Sequence, residues 1–229
     1  MSNTPVSPEH RRSFLERMAA GALAVAAVPA VARAAPSPAP SPSPAAAAAG
    51  EPWLAGLAST KHKQVFDATT HNGGFPMMFA GNYMKTMREA YSLGPKDVRA
   101  VIVIRHFSAP LGLSDAIWAK YQVGAMIGLT DPATKAPAVR NIYVNSREGD
   151  MMNPAQSLEK MIAAGAIVVV CNMALTVLSG MAGKGIGVKP DDALAEWTAG
   201  LIPGVHIAAS GVLAVGRAQE AGCAYCYAG

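Results

Sequence analysis

The chain has little that would staple, stack or anchor it. Three cysteines among 229 residues are too few for a disulfide-built miniprotein. Aromatic residues make up only 6% and are not interleaved with a basic stripe, so the platform that stacks bases and tracks phosphates is missing and nucleic-acid binding is not expected. No apolar run reaches the ~20 residues needed to cross a hydrocarbon core of about 30 Å, which argues against a multispan membrane protein. Charge is sparse at 15%, but 51% hydrophobic content excludes a disordered chain and suits one α/β domain with a substantial core.

The net charge of +4 belongs partly to the amino terminus. Four of the 19 basic residues (Arg11, Arg12, Arg17, Arg33) and two of the 15 acidic ones (Glu9, Glu16) lie in the first 34 positions, leaving 15 against 13, a net +2. That segment has the three parts of a secretory signal: a basic HRRSFLERM, 15 uncharged residues from Met18 to Ala32, and a small-residue cleavage site at Ala32-Arg33-Ala34. Arg11-Arg12 followed by Ser13, Phe14 and Leu15 resembles a twin-arginine (Tat) signal, with cleavage expected after Ala34 and an uncleaved anchor as the alternative. The chain is therefore expected to pass the Tat translocase and to act in the periplasm or otherwise outside the cytoplasm. Residues 35–50, APSPAPSPSPAAAAAG, bury too little to order themselves and read as a semi-extended tether. The remaining 51–229 form the expected α/β domain.

Ala100–Ile104 (AVIVI) and Ala166–Val170 (AIVVV) are short, β-branched and without alternation, the pattern of strands buried on both faces. Gln64–Thr69, Val205–Ala208 and Cys223–Tyr227 are weaker strand candidates. Helical patterns lie between them. One is expected after Ser114, which would cap it while Leu113 staples against Trp118. Another starts from Asn153-Pro154-Ala155-Gln156 and stops at Gly165, and a third opens at Asp191 and Asp192 after Pro190. The alternation predicts a three-layer α/β/α sandwich around a mainly parallel, about five-stranded sheet. Thr130–Met152 is polar, weakly strand-like at Ile142–Val144, and reads as a surface excursion that carries oligomer contacts or covers a site.

Ligands of parallel sheets sit beyond the carboxyl ends of the strands. His71, His106 and Cys171 all fall there in sequence. Cys171 precedes Asn172, a candidate cap, and a helical run from Met173 to Met181, a setting in which the helix dipole favours a thiolate. The competing reading is a small apolar residue ending a core strand. His71 lies in HNGGFP, whose Gly73 and Gly74 permit close backbone approach to a ligand, and a carbonyl-bound structural histidine is the alternative there. His206 reads as structural. Cys223 and Cys226 are formally a CxxC, but in an extended segment they lie roughly 10 Å apart and point to opposite sides, two separate thiols. Neither G-x-G-x-x-G nor a Walker A lysine is present, and no cofactor is expected.

The segments AVIVIRH ending at His106, GAIVVVCNMAL containing Cys171, and GVHIAASGVLAVGRAQEAGCAY together resemble the DsrE/DsrF-like family, with its sulfur-relay and YchN-like members, over about Lys63 to Tyr227. The resemblance implies a three-layer sandwich, homo-oligomers such as trimers or hexamers, and a persulfide carried at Cys171 with His106 near by. It assigns no role to His71. The sulfur-carrier expectation, with a donor or acceptor protein as partner, stands beside two others. One is a metal- or cofactor-binding protein using Cys171, His71 and His106 as ligands, and the other is a non-catalytic oligomeric binding protein.

Overall fold

The structure, a computed structural model, describes residues 51–229. The twin-arginine pair Arg11-Arg12, the expected cleavage site at Ala34 and the 35–50 tether lie outside the described residues. A 3-10 turn, Pro52–Leu57, leads into β1 (His62–Ala68), α1 (Phe75–Tyr91) and β2 (Val98–Ile104). Two short helices follow, α2 (Asp115–Lys120) and α3 (Val123–Met126), then the excursion and α4 (Leu158–Ala163). The chain closes with β3 (Ile167–Cys171), α5 (Asn172–Gly185), α6 (Pro190–Ala199), β4 (Val205–Ala208), α7 (Gly211–Glu220) and β5 (Ala224–Tyr227).

The five strands form one sheet in the order β4-β3-β2-β1-β5, every neighbouring pair parallel. This is the expected three-layer α/β/α architecture. The two uniformly apolar runs are the middle strand β2 and its neighbour β3, which must satisfy a helix layer on each side. Ile102, Ile104, Val168 and Val170 face one layer, with Met77 and Met84 of α1, Trp118 of α2, Leu175 of α5 and Trp197 of α6. Val101, Val103 and Val169 face the other, with Trp53, Leu57 and the Ala214, Val215 and Ala218 stripe of α7. The period-two alternation of a strand sends successive valines and isoleucines into different cores.

Local signals were legible to different degrees. Asn153 does accept from the Ala155 amide, 2.9 Å away, but only a 3-10 turn at Pro154–Gln156 follows, and the α-helix restarts at Leu158. The Gln156 amide faces Asn82 instead of folding back. Ser114 sits at the cap position of α2 without a capping bond from its side chain, and its amide donates to Gly200 O. The helix that follows Ser114 breaks at Gln122, whose φ is +50°, before α3 begins.

The Thr130–Met152 segment contains no strand at Ile142–Val144, only an isolated bridge between Thr130 and Pro137. Nor is it a superficial excursion, since Asn141, Ile142, Tyr143, Val144 and Met152 are buried. Arg140 explains how a polar segment packs so deeply: its guanidinium joins Asp131 at 2.7 Å and Asp150 at 2.9 Å, all three side chains shielded from water. Asn141 then donates both amide protons to Leu111 O and Leu113 O, satisfying backbone that no strand reaches.

Candidate functional site

The carboxyl ends of β2, β3 and β4 open into a cleft of about 380 Å³ whose walls are almost wholly apolar. Helices α5 and α7 leave opposite faces of the sheet here, so their amino termini flank the opening, as the topology of a parallel sheet requires.

Cys171 sits at the inner end. It is the last residue of β3, paired with Ala208 of β4, and is itself the cap of α5: its Sγ accepts from the Ala174 amide at 3.4 Å. The cap expected at Asn172 is thus supplied one residue earlier, by sulfur. A backbone donor and the amino terminus of a 14-residue helix meet at that atom. On the opposite wall Ser210 caps α7, its hydroxyl accepting from the Leu213 amide at 3.1 Å.

His106 lines the same cleft. It follows β2 in a left-handed conformation with φ +50°, a costly choice for a residue with a side chain. The turn is held from below by the buried Ser108. Its hydroxyl accepts from the Arg105 amide at 2.8 Å and lies 2.7 Å from Ala68 O on β1.

Sequence reasoning missed Arg105. It lines the cleft along with Cys171 and His106, and its stem packs on Gly211, where a Cβ would approach Arg105 Cβ to 2.5 Å. Its guanidinium forks onto Asp67, Nε to Oδ1 at 2.6 Å and Nη2 to Oδ2 at 2.9 Å. Tyr225 of β5 donates a third hydrogen bond to that carboxylate at 3.0 Å. The Asp67 hydrogen bonds raise Arg105 above its ordinary pKa against the effect of burial, and the charges of Asp67, Tyr225 and Cys171 add to the rise. Nη1 stays clear of the fork and lies 3.4 Å from His106 Nε2; as Arg only donates, the contact casts Nε2 as acceptor. The signal available in sequence was Asp67 itself, a carboxylate inside a strand, because a buried charge must be paired.

His71 does not join this group. It follows β1, two strands from β3 in the sheet order and so on the order of 10 Å away across the sheet. Its Nδ1 accepts from the Gly73 amide at 3.2 Å, which makes the Tyr143 hydroxyl 2.9 Å away a donor to the same atom. Burial lowers the His71 pKa. Gly73 and Gly74 serve the 141–152 segment and not a ligand: a Cβ on Gly74 would meet Met152 Cε at 2.5 Å, and one on Gly73 would meet Met151 Sδ at 2.6 Å. The segment therefore covers His71 and contributes nothing to the lining of the Cys171 cleft. Among the described residues no three His, Cys, Asp or Glu side chains are grouped closely enough to hold a metal ion, so the ligand set Cys171, His71 and His106 is not assembled.

His206 lies half-buried in β4 outside the cleft lining, its pKa lowered by burial. Cys223 and Cys226 are free thiols. Cys223 is buried ahead of β5, and that burial pushes its pKa up to about 11 against the opposing charge of Lys63. Comparison with protein-family models, with curated proteins and with solved structures returns no match.

Proposed function

We propose that the protein is an exported, DsrE-like sulfur carrier that holds a persulfide on Cys171. The observation that carries this reading is the placement of one cysteine sulfur at a helix amino terminus, accepting a backbone hydrogen bond at the inner end of an apolar cleft. Such a sulfur is a nucleophile when ionised, and the surrounding hydrocarbon keeps water from a bound persulfide. His106, beside Arg105 on the wall, would take the Cys171 thiol proton before the sulfur is transferred. The role is that of a carrier more than of a catalyst of turnover.

Phe107, Met173, Val177 and Val212 project around the mouth, each at least half exposed. A contiguous apolar rim of this kind supports contact with other chains. It fits the homo-oligomer that the family resemblance implies and a donor or acceptor protein that reaches Cys171. Export through the Tat translocase, with the domain already folded when it crosses, completes the proposal.

The test is anaerobic native mass spectrometry of protein matured in its own host, with a reduced control and Cys171→Ser. The expected result is a reducible added mass of one or more sulfur atoms on an oligomer, absent from the variant. Protein that stays bare in every sample, even after exposure to polysulfide, overturns the reading.

A further inference from the structure

The proposed carrier leaves open which chemical class delivers its sulfur, and the walls of the cleft bear on that choice. About 380 Å³ of space is far more than a single sulfur atom needs. It is bounded by Phe107, Val177, Leu178 and Val212, with no carboxylate among the lining residues. An inorganic polyanion seated there would exchange most of its hydration for contact with hydrocarbon, a poor trade. An apolar group would gain in proportion to the area it covers. The polar features of the lining are Arg105, paired to Asp67, and the amino termini of α5 and α7, of 14 and 10 residues. With the Arg105 charge so paired, what these groups offer at the wall is hydrogen-bond donors and helix-dipole ends, which suit a ligand whose polar or anionic part is confined to one end.

Resting on the carrier reading, we propose that the cleft takes an organic persulfide, R–S–SH, with an apolar substituent R against the hydrocarbon walls and its sulfur end toward Cys171 and Arg105. The Cys171 thiolate attacks the outer sulfur of the donor. A new S–S bond forms to Sγ, the donor S–S bond breaks, and its electron pair leaves on the inner sulfur as R–S⁻. The proton stays on the transferred sulfur, so Cys171 ends as Cys–S–SH and the charge has moved to the leaving thiolate. No external oxidant or reductant is required. Arg105 lines the same cleft, its guanidinium held in one orientation by Asp67.

Three donors decide the matter on the reduced full chain: benzyl persulfide, glutathione persulfide and inorganic polysulfide. The rate of one-sulfur loading is followed by intact mass, with Cys171→Ser as blank. Benzyl persulfide is expected to load about tenfold faster than glutathione persulfide, the discrimination that an apolar pocket gives for a few carbon atoms. The double variant Val177→Gln, Val212→Ser alters two exposed wall residues (59% and 69% exposed). It should keep its thermal midpoint while losing most of the benzyl advantage. Equal rates from the two organic donors, an unchanged advantage in the double variant, or loading from polysulfide alone would overturn the substrate class and leave the carrier reading standing. Absence of loading from all three donors overturns both.

Discussion

Tyr143 spends its hydroxyl proton on His71, and that bond exists only while Nδ1 carries no proton of its own. Burial depresses the His71 pKa below 6.5. The neutral ring is therefore the form that the fold favours, and its contribution is complete above 6.5 and fades as pH falls through the lower folded value. Tyr143→Phe is expected to cost about 1 kcal/mol near neutral pH, a typical net hydrogen bond. The difference from the parent protein should shrink on acidification below 6.5. Thermal melts of both proteins across that range check it, and a gap that stays constant would show that His71 does not titrate against Tyr143. At this scale Cys171 and His106 were legible because a reactive residue ending an apolar β-branched run falls where a parallel sheet opens. Arg105 was not, since its meaning comes from Asp67, 38 residues away in sequence, and a sequence shows charges without showing their partners.

Strands read well in this chain and helices unevenly, for a physical reason. AVIVI and AIVVV have no solvent-facing side, so composition alone marks them. The short helices α2, α3 and α4 are fixed by tertiary contacts, which override caps and periodicity. The 130–152 segment is the extreme case: its composition reads as surface, yet one arginine hydrogen-bonds two carboxylates at once and lets it sink. Arg140 holds Asp150 below its usual pKa; for Asp131, burial acts to raise the value, but the Ala133 amide and Arg140 outweigh it and leave it lowered. Replacing Arg140 by Met would strand two shielded anions, at a cost of about 3 kcal/mol. Hydrogen exchange should show Ile142–Val144 losing protection in that variant. Alkylation of Cys171 should be unchanged, because the segment does not line its cleft. The two depressed carboxylates also make the segment acid-labile, its support present at neutral pH and lost as each is protonated.

For the whole molecule, the amino-terminal residues and the domain make separate predictions. Under the proposed Tat route, Arg11→Lys with Arg12→Lys is expected to abolish export while leaving the domain folded in the cytoplasm, which fractionation of cells and immunoblotting would reveal; export of the variant, or a parent protein that is not exported, would overturn that route. No helix among the described residues is long and apolar enough to cross a membrane. Within the domain the two faces of the sheet are unequally dressed. One carries tryptophans, methionines and leucines from α1, α2, α5 and α6. The other relies on the Pro52–Leu57 turn and on α7, whose inward stripe is Gly211, Ala214, Val215 and Ala218. Small side chains bury little area, so α7 has less holding it than α1 has. Its amides are expected to exchange with solvent water through a local opening well before those of α1 and the central strands, and equal protection would refute this. A sheet shielded so unevenly is expected to open in a set order, and one wall of the Cys171 cleft belongs to the layer expected to loosen first.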